Sequence, residues 1–316
     1  MSEKKIATRE SYGNALSELA AQRNDILVLD ADLAAATKTG MFKKSNPDRF
    51  IDCGIAECDM MGIAAGIAST GQKVFASSFA MFAAGRAYEI VRNSIGYPHL
   101  PVKICATHAG ISVGEDGASH QCCEDIALMR VIPGMTVINP ADDVETKAAI
   151  HALVDYDGPA YVRLGRLAVP VINDVPGYRF EIGKGIELKP GQDAAILATG
   201  LMVSRALEAA EILKQEGIDA RVINIHTIKP LDREIVLKAA RETGLLVTAE
   251  EHSVIGGLGS AVSELCAAEY PVRVLKVGVN DCFGMSGPAM ELLDKYGLNA
   301  AAIVKAVKNG RNMKNN

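Results

Sequence analysis

Two consecutive α/β domains with mostly parallel sheets are the fold that the sequence predicts. Three observations carry that expectation. Strand-length apolar runs alternate with helical patterns along residues 26–163, the βαβ rhythm of a parallel sheet covered by helices. The rhythm breaks near residue 170, in the two-proline stretch Val169-Pro-Val-Ile-Asn-Asp-Val-Pro-Gly-Tyr, and then resumes. The length, 316 residues, accommodates two domains at about 150 residues each.

The elements follow in order. A helix over 9–22 leads into the strand Ile26-Leu-Val-Leu-Asp30. Further strands are expected at Lys73-Val-Phe-Ala, Val102-Lys-Ile-Cys-Ala, Met135-Thr-Val-Ile and Ala160-Tyr-Val-Arg, with helices over 59–69, 82–96, 124–130 and 142–154 between them. After the break, Ile182-Gly-Lys-Gly-Ile-Glu-Leu-Lys-Pro-Gly-Gln-Asp reads as a short hairpin. The second series runs strand 194–199, helix 203–215, strand 220–225, helix 232–243, strand 245–249, helix 260–269 and strand 272–277. The expected division is 1–172 for the first domain, 173–190 for a linker and 191–316 for the second domain. The polar tail 308–316 reads as a frayed end.

Composition excludes several classes. Hydrophobic residues at 49% and charged residues at 22% leave no room for extensive disorder. Thirty-three basic against 38 acidic residues give a net charge of −5, which does not suit a nucleic-acid partner. Seven cysteines without a CxxC pair fit a reducing compartment, so a cytoplasmic location is expected. The first residues carry no apolar signal-peptide core, and the weakly polar run 60–68 is far too short to span a bilayer, so no membrane partner is expected.

Three segments carry chemistry. In Asp52-Cys-Gly-Ile-Ala-Glu57-Cys-Asp-Met-Met-Gly-Ile-Ala-Ala-Gly66, Glu57 stands at the start of a helix whose other residues are almost all small or apolar. A first-turn acid is favoured by the helix dipole, and a partly desolvated carboxylic acid can also share a proton with a ring nitrogen. In Ser77-Ser-Phe79-Ala-Met-Phe82-Ala-Ala-Gly-Arg86, two of only seven phenylalanines sit where a strand gives way to a helix. They are either core or an aromatic platform for a planar ring at the carboxyl end of a strand. The third segment is the glycine-rich Thr107-His108-Ala-Gly-Ile-Ser-Val-Gly-Glu-Asp116-Gly-Ala-Ser-His120-Gln. Its histidines suit an anion and Asp116 suits hydroxyls, while metal-ligand spacing is missing. Arg9, Arg163 and Arg166 are further anion candidates. Glu250-Glu-His252-Ser-Val-Ile-Gly256-Gly-Leu-Gly259 lacks the GxGxxG order, so close packing suffices for its glycines. Cys122-Cys123 reads as a pair of buried thiols.

Taken together and in this order, FIDCGIAECDMMGIAAGIA, SSFAMF, THAGISVGEDGASHQ and EEHSVIGGLG resemble the C-terminal half of a transketolase, over roughly residues 5–308. The resemblance implies a pyrimidine-binding domain followed by the transketolase C-terminal domain, and thiamine diphosphate as cofactor. Glu57 then matches the glutamate that hydrogen-bonds N1′ of the aminopyrimidine, favouring the imino tautomer that removes the thiazolium C2 proton. Phe82 matches the ring stacked on the pyrimidine, with Phe79 beside it, and Asp32 matches an aspartate near the thiazolium. His120, counted with Glu57 as catalytic, and Asp116 match groups that contact sugar hydroxyls. His108, Arg9 and Arg166 match the cluster that binds a substrate phosphate.

Departures from the family pattern are visible as well. Cys58 follows Glu57 where glutamine is common, Gly85 stands where an aromatic residue often contacts the pyrimidine amine, and Ala36 replaces a phosphate-binding serine, with Thr37 and Lys38 as candidate substitutes. The family's GDG motif, which holds the diphosphate through a metal ion, does not occur. The resemblance therefore implies the smaller subunit of a split transketolase. Its partner would be an N-terminal subunit that carries GDG and Mg2+ or Ca2+, in an α2β2 assembly acting on sugar phosphates. The β subunit of a 2-oxoacid dehydrogenase, a 1-deoxyxylulose-phosphate synthase fragment and a non-catalytic binding subunit are the competing readings.

Overall fold

The structure, a computed structural model, describes residues 4–312. The first half runs β1 (Lys5–Ala7), α1 (Thr8–Ala20), β2 (Ile26–Asp30), α2 (Ala34–Thr37), α3 (Gly40–Ser45), β3 (Phe50–Asp52), α4 (Glu57–Ala68), β4 (Lys73–Ser77), α5 (Tyr88–Ile90), β5 (Val102–Ala106), α6 (Asp125–Val131), β6 (Thr136–Ile138), α7 (Asp143–Leu153), β7 (Ala160–Arg163) and β8 (Ala168–Pro170). The second half runs β9 (Ile186–Lys189), β10 (Ala194–Ala198), α8 (Met202–Gln215), β11 (Ala220–Asn224), β12 (Thr227–Lys229), α9 (Arg233–Thr243), β13 (Leu245–Ser253), α10 (Leu258–Glu269), β14 (Arg273–Val279), α11 (Ala289–Lys295) and α12 (Ala300–Asn312).

Two mostly parallel sheets result, as the alternation predicts. The first has the order β12-β6-β7-β5-β4-β2-β3 and the second β14-β13-β10-β11-β9; within these two sheets β12 and β9 run antiparallel to their neighbours, and β1 and β8 form a separate antiparallel pair. Central strands are buried on both faces, so β5 and β10 are apolar or packed at every position. On one face of the first sheet, Met60, Ala64 and Ala68 of α4 pack with Leu29, Val74 and Ile104. On the other face, Tyr12 and Leu16 of α1 join Val28, Phe75, Ile150 and Leu153. The small side chains of α4 let it lie close to the strands, which brings its first residue, Glu57, to the sheet edge. No helix among the described residues is long and apolar enough to cross a membrane.

Several expectations are corrected. The 182–193 hairpin does not form: only β9 is a strand, and it pairs with β11. Gly183 turns at φ +84°, the Gly185 N–H is drawn to Asp232 Oδ2 at 2.9 Å, and Pro190 has no N–H with which to continue a ladder. The 82–96 helix is not regular. Wide turns span Met81–Arg86 and Val91–Gly96, where Ala87 N–H donates to Phe82 O and Tyr97 N–H to Arg92 O, five residues back. Such π-type turns recur at functional sites. The tail does not fray before Asn312. α12 continues through it because Gly310 packs on Leu245, Lys308 pairs with Glu216 at 2.6 Å and Arg311 with Asp193 at 2.6 Å; residues 313–316 lie outside the described residues. Finally, β12 comes from the second half of the chain yet completes the first sheet, against β6.

Candidate active site

The carboxyl ends of β2, β3, β4, β5 and β7 share one edge of the first sheet. The segments leaving them carry every candidate residue except Arg9, the second residue of α1, and Arg163, the last residue of β7. Ligands of open α/β sheets sit at this edge.

Glu57 opens α4, so its carboxyl group stands at the positive end of the helix dipole. It is 8% exposed, and the buried Ser78 hydroxyl, at the end of β4, donates to its Oε1 at 3.1 Å. An aromatic ladder stands beside it. The His108 ring stacks on Phe79, with centroids 3.8 Å apart and planes 21° apart, and Phe79 stacks in turn with Phe82 at 6.0 Å and 13°. His120 meets both phenylalanines edge-on, at 5.4 Å from Phe82 and 6.4 Å from Phe79. The two phenylalanines are therefore not equivalent. Phe79 is 7% exposed and covered by His108, whereas Phe82 is half-buried and keeps a surface open. At Gly85 a Cβ would collide with Met81 Cε, so Met81 occupies the space of a larger side chain.

The anion cluster also assembles. Arg9 Nη1 lies 3.0 Å from the Ala36 carbonyl and 3.2 Å from His108 Nε2. An arginine can only donate, so His108 Nε2 accepts, and its Nδ1–H donates to Thr107 Oγ1 at 2.9 Å. Burial, together with the charges of Arg9 and Arg166, pushes the His108 pKa down to about 3. The ring is thus neutral, and the His108 backbone sits at φ +56°, uncommon for a residue other than glycine. Arg166 donates to the Val113 carbonyl and pairs with Glu115 at 2.8 Å. Asp116 and Asp32 are exposed, and the Asp32 N–H donates to Asp52 Oδ1 at 3.1 Å.

Two candidates drop out. Arg163 is buried and committed to protein: its Nε pairs with Asp125 at 2.8 Å and its Nη2 donates to the Glu251 carbonyl at 2.8 Å. It cannot hold an external anion. Thr37 does not replace the missing serine at position 36, because its buried hydroxyl donates to Asp30 Oδ2 at 2.7 Å. Asp30 itself escaped the sequence reading. It also accepts from the Thr39 hydroxyl and the Leu33 N–H, shaping the loop that carries Asp32, and burial raises its pKa. An acid ending an apolar strand was the available signal, as was a serine, Ser78, beside Phe79. The Gly256-Gly-Leu-Gly259 stretch does pack closely: the Leu258 and Gly259 N–H groups donate to the Glu250 carboxylate at 2.7 and 2.8 Å.

Residues 4–171 match the family described as transketolase, pyrimidine binding domain, and residues 183–303 match transketolase, C-terminal domain. The chain belongs to the transketolase family. This transketolase chain is similar to a solved structure described as a split gene transketolase, inactive beta4 tetramer, with a TM-score of 0.89 and 53% identity over 98% of this chain and 100% of that one. It is 44% identical to the 6-deoxy-6-sulfo-D-fructose transketolase subunit SqwH of Clostridium sp. (strain MSTE9), covering 97% of this chain and 95% of that protein. Identity to an apulose-4-phosphate transketolase subunit of Phocaeicola vulgatus is 40%, over 96% and 97%. An alignment over 96% of this chain reaches 49% of the human transketolase, at 38% identity. The chain is a C-terminal subunit of the split-transketolase type, and its first half is a pyrimidine-binding domain.

Proposed function

We propose that the chain works in a two-chain, thiamine diphosphate-dependent transketolase that moves a two-carbon ketol unit from a ketose to an aldose. The observation that carries this reading is the convergence on one sheet edge of a nearly buried carboxylate, an open aromatic face and a pair of arginines set around a neutral histidine. The donor set fits the pyrimidine half of the cofactor. When bound, thiamine diphosphate supplies an electron sink for breaking a carbon–carbon bond beside a carbonyl.

The chain's own residues do the rest. Glu57 holds a proton at N1′ of the pyrimidine, and Ser78 fixes the carboxyl. Phe82 offers its open surface for stacking, and Phe79 backs it and carries His108 on its other face. His120 stands edge-on to this platform as a proton carrier beside the substrate, with Asp116 accepting from sugar hydroxyls. Asp32, on the loop after β2, would stand near the thiazolium, as the family resemblance implies. Arg9 and Arg166 take the substrate's anionic end, and His108 aims Arg9 by accepting from it. Relatives named for sulfofructose and for apulose 4-phosphate support a sugar with a terminal anion, which we take to be phosphate.

The diphosphate and its Mg2+ or Ca2+ fall to an N-terminal transketolase subunit carrying GDG, since that motif is not in this sequence, in a cytoplasmic α2β2 assembly. The division 1–172, 173–190 and 191–316 belongs to the same reading. Mixing tests it. This chain alone should give no ketol transfer from xylulose 5-phosphate to ribose 5-phosphate and should gain activity with the partner. Full activity without a partner, or turnover of pyruvate in its place, would defeat the reading.

A further inference from the structure

The loop 107–123, between β5 and α6, carries His108, Asp116 and His120. Ordering a loop of this length costs conformational entropy, so something must hold it. Much of what holds it comes from the second half of the chain. The Ser112 N–H donates to Glu251 Oε1 at 2.6 Å, and the Ser253 N–H donates to the Cys123 carbonyl at 2.8 Å. Gln121 Nε2 lies 3.2 Å from Ile111 O, 3.1 Å from Gly114 O and 2.9 Å from Met285 O, tying the loop to itself and to the segment before α11.

Glu251 is the one charged side chain among these ties. It is buried in β13, and its backbone carbonyl is gripped by Arg163, whose guanidinium is braced by Asp125. Gly110 shows how closely the loop closes on it. Its φ is +81°, and a Cβ there would overlap the Glu251 carboxyl group. A glycine is needed at that position for the backbone to approach, and a carboxylate accepting from a buried N–H is among the stronger hydrogen bonds.

We propose that Glu251 is a positioning residue for the candidate active site: through Ser112 it sets the loop on which His108, Asp116 and His120 stand. The proposal rests on the functional reading above for its catalytic consequence, and on the loop alone for its structural one.

Amide hydrogen exchange of the full chain, with Glu251→Ala, Glu251→Asp and Glu251→Gln, tests it. Alanine removes the acceptor. Aspartate keeps the charge beside Arg163 but withdraws it by about 1.5 Å, one carbon–carbon bond. The glutamine amide oxygen can still accept from Ser112. Exchange over 110–121 should rise about tenfold or more in the alanine and aspartate variants, the effect of one lost charged hydrogen bond on local opening. Exchange in β10 and β11 should stay as in the unsubstituted chain, and the glutamine variant should return the loop towards wild type. If the alanine variant does not fold, the aspartate variant decides alone. In the complex with an N-terminal transketolase subunit, kcat for xylulose 5-phosphate and ribose 5-phosphate should fall in the same two variants, with thiamine diphosphate affinity kept. Loop exchange that is unchanged, or that rises only together with β10 and β11, would overturn the proposal, as would a glutamine variant as damaged as alanine. If the unsubstituted complex transfers no ketol unit, the functional reading fails, and the exchange result still decides what Glu251 does.

Discussion

Glu57→Gln separates the proton from the shape. The substitution keeps the side-chain volume in a site 8% exposed, and the amide oxygen can still accept from the Ser78 hydroxyl, now 3.1 Å from Oε1. The change in folding stability should therefore stay within about 1 kcal/mol, the worth of one ordinary hydrogen bond. What disappears is an exchangeable proton at the start of α4. A positioned acid–base group contributes about 10²–10⁴ in rate, so kcat should fall at least about a hundredfold, or about 3 kcal/mol of barrier. The assay pairs the chain with an N-terminal transketolase subunit and follows ketol transfer from xylulose 5-phosphate to ribose 5-phosphate, while calorimetric titration reads thiamine diphosphate affinity. Phe82 and the rest of the ladder are untouched, so affinity should hold close to wild type. A variant that keeps more than a tenth of the turnover would remove Glu57 from the proton path. Turnover lost together with affinity would make it a binding residue only.

Two further outcomes follow from the site and the core. Arg9→Ala should raise KM for a phosphorylated acceptor about tenfold to a hundredfold, the loss of a charge-assisted contact, and leave an uncharged aldehyde acceptor unaffected; equal effects on both would contradict an anion site at Arg9. His226 is fully buried, its Nδ1 lies 2.9 Å from Thr227 Oγ1, and burial pushes its pKa down to about 4. Above pH 6.5 it is neutral in both the folded and the unfolded chain, so its contribution to stability is whole there. As pH falls from about 6.5 towards 4 the unfolded chain takes up a proton that the folded chain refuses, and up to about 3 kcal/mol is lost. Urea unfolding at pH 7 and pH 5 should show a smaller loss of stability on acidification for His226→Phe than for wild type; an equal loss would place the titration elsewhere.

Much of the candidate site was legible as a set of candidates because its signals are local. An acid opening a run of small residues marked Glu57, a strand end marked Phe79 and Phe82, and a glycine-rich loop marked His108, Asp116 and His120. Arg163 was misread for the opposite reason. An arginine at a strand end looks available to an anion, and nothing nearby reveals that Asp125, 38 positions earlier, already holds it. The expected 182–193 hairpin failed similarly, since Gly185 answers to Asp232, 47 positions on.

Sequence alone determined the class of fold, the alternation of strands and helices and the order of the motifs, because strand and helix periods and helix starts depend on neighbours a few residues apart. Tertiary structure decided which ring keeps an open face and which is covered, which arginine is buried and already committed to protein, and that β12 crosses over to finish the first sheet. It also decided that a carboxylate 139 residues away seats the loop at Ser112. Burial and pairing of this kind arise only when distant segments meet, and a charge buried there must find its partner or the fold loses the cost of desolvating it.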